Sequence, residues 1–276
     1  MSDRFKLCLS QTTTLPRTWS EDIADYAAGG WPGVEIWLTK LEKHLDNSTL
    51  DDTIRQMGER KIVAAAAAYQ GGLLLSQGEA RKSHFDHFRR RLELCQALSC
   101  PTMLIVADFQ QRFDETTLQR AVVSLKQAAQ WAAGFDVRIG LEFRGSDTFC
   151  SCLDTAISLV DQCEEPNLGV CLDLFHYYTG ASKPEDLDRL TKENLAHVQL
   201  SDLAGVPREL AGDSDRVMPG DGDFRFDGVV ETLDRIGYDG WVGLELFNPV
   251  LWQMKSTQVA ELGYTALSRV LKSAAP

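Results

Sequence analysis

Short apolar runs rich in β-branched residues alternate along the chain with longer segments in which apolar side chains recur every three or four positions. The first pattern suits a buried strand and the second an amphipathic helix, so the alternation reads as repeated βα units around a parallel sheet. Eight pairs can be drawn. Strands are expected at Phe5–Ser10, Gly33–Leu38, Lys61–Ala68, Thr102–Asp108, Arg138–Arg144, Leu168–Phe175, Ala196–Asp202 and Trp241–Phe247. Helices are expected near 20–29, 47–59, 79–99, 115–133, 152–163, 184–194, 226–236 and 252–272. Ser20 ahead of Glu21 and Asp22, and Asp114 ahead of Glu115, supply start signals, because an acceptor side chain and early carboxylates suit the unpaired N–H groups of a first turn. Within 79–99, Phe85, Phe88, Leu92 and Cys95 form an apolar stripe, with Arg81, Lys82, Arg89, Arg90 and Arg91 between them. That spacing predicts a half-buried helix with a solvated basic face, on which His84 and His87 read as surface or packing residues.

Eight βα repeats without a Gly/Ser/Pro-rich linker predict an α/β protein, a single (β/α)8 TIM barrel occupying residues 1–276 as one domain. A doubly wound sheet is disfavoured because no strand leads into G-x-G-x-x-G, and Gly71-Gly72 lacks the third glycine. No P-loop and no G-x-S-x-G elbow is present. With 44% hydrophobic and 25% charged residues the composition is that of a globular protein, and excludes disorder and collagen. Lys plus Arg number 28 against 40 Asp plus Glu, a net charge of −12 that would repel a phosphate backbone, so no nucleic-acid partner is expected. No apolar run reaches the roughly 18 residues of a membrane helix, and no membrane partner is expected. The start, Met-Ser-Asp-Arg-Phe-Lys, lacks an apolar signal segment, which predicts a cytoplasmic protein. Seven cysteines are scattered without a C-x-x-C and read as reduced thiols, Cys150 and Cys152 included.

Chemistry in such a barrel sits at the C-terminal ends of the strands. Glu142 in Ile-Gly-Leu-Glu-Phe, Asp173 in Val-Cys-Leu-Asp-Leu-Phe, Gln199 in His-Val-Gln-Leu-Ser-Asp and Glu245 in Val-Gly-Leu-Glu-Leu-Phe each interrupt an apolar strand with an acceptor side chain. A bare carboxylate there is costly unless paired, protonated or bound to a cation. Falling on the fifth to eighth strands, the four are expected to converge, and one divalent cation relieves their mutual repulsion. The all-oxygen set favours Mn2+ or Mg2+, with Co2+ admitted and Zn2+ ranked behind them.

These residues resemble the xylose-isomerase-like TIM barrels, which include sugar epimerases, hydroxypyruvate isomerase, inosose dehydratase and 3-dehydroshikimate dehydratase. The resemblance spans nearly the whole chain. It is most specific in Gly140-Leu-Glu142-Phe, Asp173-Leu-Phe-His176, His197-Val-Gln199-Leu-Ser-Asp202, Arg216-Val-Met-Pro219-Gly220-Asp-Gly222 and Gly237-Tyr-Asp-Gly240 before Glu245. It implies that Glu142, Asp173, Gln199 and Glu245 hold the metal, that Glu142 and Glu245 are also the acid/base pair, and that His176 contacts substrate or carries a proton. Many sugar epimerases of the family have His-x-His on the seventh strand where this chain has His197-x-Gln199, a departure that favours the hydroxypyruvate isomerase and dehydroshikimate dehydratase branches. His197, on the opposite pleat face, is expected to pack. The family's DNA-repair endonucleases gather many histidines, whereas this chain has five.

A cation polarising a carbonyl and its neighbouring hydroxyl acidifies the C–H between them. The expected activity is isomerisation or epimerisation of a small polyhydroxy ketone or aldehyde, a keto-sugar first. Dehydration of a ketocyclitol or of 3-dehydroshikimate is the alternative, and a sugar-binding barrel without catalysis the second. Arg216 and Arg208, in the loop after the seventh strand, are candidates to bind a substrate oxygen or carboxylate. Arg144, two residues past Glu142, is expected on the same strand face. Glu35, Trp37, Tyr69 and Gln70 would line the remaining wall. A homo-oligomer is compatible with this reading.

Overall fold

The computed structural model describes residues 4–107, 109–110 and 113–273. In chain order its elements are β1 (Lys6–Ser10), α1 (Trp19–Ala28), β2 (Gly33–Trp37), α2 (Leu38–Leu45), α3 (Leu50–Glu59), β3 (Val63–Gln70), α4 (Gly78–Ala97), β4 (Thr102–Val106), α5 (Glu115–Ala133), β5 (Arg138–Glu142), α6 (Leu153–Cys163), β6 (Leu168–Asp173) and α7 (Leu174–Thr179). They continue with β7 (Leu195–Leu200), β8 (Asp202–Leu203), β9 (Arg216–Val217), α8 (Asp227–Arg235), β10 (Trp241–Leu244) and α9 (Ser256–Ser273). Eight parallel strands close a barrel in the order β1-β10-β7-β6-β5-β4-β3-β2, while β8 and β9 pair as a separate antiparallel ribbon. All eight expected strands are present, and the (β/α)8 barrel with them. The final residue of the expected fourth strand, Asp108, lies outside the described residues.

The chain divides into two compact units, Met1–Ala67 with Val198–Pro276, and Ala68–His197. In the first, Cys8, Leu9, Val34, Ile36 and Leu244 are buried, with Ser10 in register with Glu35 and Leu200 with Leu244. Helices α1 and α9 pack so closely that a Cβ on Gly29 would stand 2.7 Å from that of Ala260, and Trp31 Nε1 donates to the Ala260 carbonyl at 2.8 Å. In the second unit β4 and β6 are buried at every residue, as continuous apolar runs require. Val106 pairs with Glu142, and Glu142 with Cys171.

Several boundaries differ from the sequence reading, each for a local reason. Thr18, not Ser20, caps α1, because its Oγ1 accepts from Glu21 N while Glu21 Oε2 accepts from Thr18 N in a closed capping box. The helix expected over 47–59 is preceded by α2, which starts directly after Trp37, and α3 has its own cap in Thr49. The strand expected to Phe175 stops at Asp173, whose Oδ1 accepts from Phe175 N at 2.7 Å and opens α7. The segment 184–194 is only a 3-10 turn, Pro184–Arg189, followed by a Thr191/Asn194 reciprocal bond that ends it. The face of α4 expected to be solvated is partly claimed by the interior. Arg91 is 6% exposed and donates to Tyr69 O and Gln70 Oε1, and Arg81 lies 4.4 Å over the Phe85 ring. All seven cysteines are free thiols. No helix among the described residues is long and apolar enough to cross a membrane.

Candidate metal centre and active site

Glu142 is the last residue of β5 and Asp173 the last of β6, so each carboxylate leaves the barrel wall where its strand ends. His176 joins them from the first turn of α7, three residues on. All three are buried. His176 Nε2 stands 3.8 Å from Glu142 Oε1 and 3.8 Å from Asp173 Oδ2, too far for a hydrogen bond. Two ligands at roughly 2.0–2.2 Å from a shared ion are separated by about 3–4.4 Å, and the observed spacing falls in that range. Among the described residues this is the group of His, Cys, Asp and Glu side chains whose ligand atoms lie within 4.8 Å of one another. The cluster therefore fits a divalent cation. His176, expected to contact substrate, has its imidazole nitrogen beside the two carboxylates.

In the other unit, Gln199 is wholly buried on β7 and its Nε2 donates to Glu35 Oε1 at 3.0 Å. Glu35, expected as wall, is thus the group that orients the amide of Gln199. Glu245 directly follows β10, 3% exposed, and its Oε2 accepts from Arg216 Nη1 at 3.1 Å. Arg216 is 1% exposed, also donates from Nη2 to Asp213 Oδ1 at 2.8 Å, and sits 5.9 Å from the centroid of the Phe247 ring, which meets Trp37 edge-on. A buried guanidinium between two carboxylates is held in one orientation. Of the two loop arginines, Arg216 is built into the interior beside Glu245 and Arg208 is exposed.

Other expected wall residues separate. Arg144 is not on a strand: β5 ends at Glu142, and the Arg144 carbonyl accepts from Asp147 N in the turn that follows. Arg144 therefore does not share a strand face with Glu142. Tyr69 is 43% exposed, whereas Gln70 is buried and tied to Arg91 and to the Gly71 carbonyl. His197 is 1% exposed, as a packing residue would be.

Sequence reading missed two polar devices. Asp202 is wholly buried and accepts from the backbone N–H groups of Leu203, Gly220, Gly222 and Phe224 at 2.9–3.0 Å, clamping the loop that follows Arg216. Its signal is an aspartate between Ser201 and Leu203, just past the strand run Val198–Leu200 and ahead of a Gly-rich loop. The other centres on Asp22, also wholly buried, which takes Lys40 Nζ at 2.6 Å, Thr14 Oγ1 at 2.7 Å and Gln11 Nε2 at 3.0 Å. Desolvation outweighs these partners and pushes its carboxyl up to about 6. An isolated charge in the polar-looking stretch Ser20–Asp22 carried no sign of this in sequence.

The xylose isomerase-like TIM barrel sequence profile matches residues 23–272. The chain belongs to that family. An inosose isomerase from Halalkalibacterium halodurans is 26% identical over 259 residues, 92% of this chain and 92% of that one. A 3-dehydroshikimate dehydratase from Pseudomonas aeruginosa is 27% identical over 245 residues, 86% of this chain but 37% of that longer protein. The crystal structure of the IOLI protein with a binding zinc atom aligns with this xylose isomerase-like barrel at a TM-score of 0.93 and 23% identity, covering 98% of this chain and 99% of that one, a likeness of fold.

Proposed function

We propose that this protein is a divalent-metal-dependent isomerase or epimerase of a small keto-sugar or ketocyclitol. The observation that carries the reading is the buried trio of Glu142, Asp173 and His176 at ion-sharing distances. The relatives named as isomerases and dehydratases support an enzyme of one of those two types. We take the cation to be held by Glu142, Asp173, Gln199 and Glu245, which lie at or next to the C-terminal ends of β5, β6, β7 and β10. His176 stands within reach of the first two. A bound divalent cation would supply Lewis acidity, polarising a ketone and lowering the pKa of the adjacent C–H.

The protein's own groups then move the proton. One of the two glutamates takes the proton from the carbon beside the carbonyl, and the electron pair enters an enediolate. Return of a proton at the neighbouring carbon completes an isomerisation. Return to the opposite face at the same carbon completes an epimerisation. Arg216 holds Glu245 in one rotamer through a charge-assisted hydrogen bond, which fixes where its carboxylate is presented as base. Glu35 fixes which end of the Gln199 amide accepts: with Nε2 donating to Glu35, Oε1 is presented elsewhere.

Dehydration of the same kind of ketone begins with the same proton abstraction and ends with loss of a β-hydroxyl, and the 3-dehydroshikimate dehydratase relative favours it as the second reading. Incubating the metal-reconstituted protein with inososes, keto-sugars and 3-dehydroshikimate in D2O separates the two. Deuterium entering beside the carbonyl without loss of water supports isomerisation or epimerisation, and a new enone absorbance supports dehydration. Neither signal with any of these ketones would sink the proposal. Metal analysis of the purified chain decides among Mn2+, Mg2+, Co2+ and Zn2+.

A further inference from the structure

A concavity of about 490 Å3 lies between the segment that follows β1 and one face of α2. Arg17, Lys40, Lys43 and His44 line it, no acidic residue does, and the chain as a whole is at −12. The lysines and the arginine gather there against the sign of the protein, while burial pushes the His44 imidazole toward its neutral form.

Not all of that charge is matched. Lys40 Nζ is paired with Asp22. Arg17 Nη2 donates to the neutral Met254 carbonyl at 2.9 Å, and Glu21, whose carboxylate feels Arg17, is tied to Thr18 in the capping box of α1. Lys43 is exposed, and no described carboxylate forms an ion pair with it.

A second observation is independent of charge. Trp19 lines the cavity and is 1% exposed, yet its indole Nε1–H is buried with no acceptor among the described residues. His44 stacks on it, ring centroids 5.7 Å apart and 18° between planes, and His44 Nε2 is likewise buried and without a partner. A folded protein rarely leaves a buried polar atom unmet, and the Trp19 indole N–H is such a donor, on a residue that lines a basic cavity beside the imidazole of His44. Thr18 and Trp19 are also the cap and first residue of α1, so the positive end of that helix dipole adds to the same field.

We propose that this cavity is a binding site for an oxyanion, the carboxylate or phosphate group of a small molecule, recognised by Trp19 Nε1–H and His44 and by the charges of Arg17 and Lys43. The inference draws on side chains of one unit and does not depend on which reaction the carboxylates at the strand ends carry out.

The test uses the full-length 15N-labelled chain and follows its indole N–H resonances, Trp19 being assigned through Trp19→Phe. Inorganic phosphate and malonate are titrated in parallel, with ionic strength held constant by sodium chloride. The Trp19 indole resonance is expected to move downfield and saturate in the millimolar range with at least one of the two, whichever saturates first naming the class. In Lys43→Glu, an exposed position that does not threaten folding, the midpoint should weaken at least about tenfold. Absence of a saturating shift with both anions, or an unchanged midpoint in Lys43→Glu, overturns the proposal.

Discussion

Glu142 and Glu245 are asked to bind a cation and to move a proton, and a Gln substitution separates the two duties. It keeps a ligand oxygen but removes the base, so either variant should lose about two to four orders of magnitude in kcat, the usual worth of general acid–base catalysis. Metal content should fall far less. Steady-state kinetics on the reconstituted variants, with metal analysis of the same samples, checks both halves. Asp22 makes a pH prediction at the same scale. Burial pushes its carboxyl up to about 6 in the folded chain, from the ordinary aspartate value of about 3.9, so between those values the native state binds the proton that the unfolded chain has released. Stability from this group is therefore greatest below pH 4 and declines as pH rises to about 6, by an amount on the order of 3 kcal/mol. Asp52, Asp86 and Asp114, whose hydrogen bonds hold their carboxyls low, act in the opposite sense and lose stabilisation as pH falls. Denaturant midpoints from pH 4 to 7 should fall with pH more steeply for the wild type than for Asp22→Asn.

Elements show what the chain's pattern can convey. Strand positions followed from apolar runs that are rich in β-branched residues, too short for a helix and bounded by turn residues. Helix starts were legible where the cap sat next to its helix, as at Asp114, whose Oδ1 accepts from Thr117 N at 2.8 Å. They were misread where two acceptors competed, as at Thr18 and Ser20. The carboxylates at strand ends were legible as breaks in apolar runs. The closeness of His176 to two of them was not, since α7 begins at Leu174, where the apolar pair Leu174-Phe175 looks like continuing strand. Arg216 stood out in its loop, yet its partner Glu245 lies 29 residues on, a distance no local pattern bridges. The Asp202 clamp yields a prediction here. A Cβ on Gly222 would stand 2.3 Å from Leu203 O and 2.4 Å from Asp202 Oδ1, with backbone on one side and a saturated carboxylate on the other. Gly222→Ala should cost about 1–3 kcal/mol in unfolding free energy and displace the loop carrying Arg216. Chemical denaturation measures the first effect, and a reduced kcat in the folded fraction the second.

For the molecule as a whole, the same carboxylates that would serve catalysis work against folding until a cation joins them. Glu142 and Asp173 are buried with like charge and with His176 at 3.8 Å from each, an arrangement whose desolvation and mutual repulsion a bound cation would relieve. Unfolding disperses the ligands, so an ion that binds only the native chain stabilises it by mass action. At a free metal concentration one hundred times its Kd, the gain is about 2.7 kcal/mol. For a chain of 276 residues that should raise the thermal midpoint by roughly 5 °C. EDTA should lower the midpoint by a similar amount, and reloading should restore it. In Asp173→Asn the dependence on added metal should shrink sharply while the apo midpoint rises or holds, because one buried charge has gone, unless the altered cap of α7 offsets that gain. Calorimetry of the apo and reloaded forms of both chains supplies the comparison. A midpoint indifferent to metal in the wild type would mean that Glu142, Asp173 and His176 are a structural ion-pair cluster and that the proton chemistry lies elsewhere.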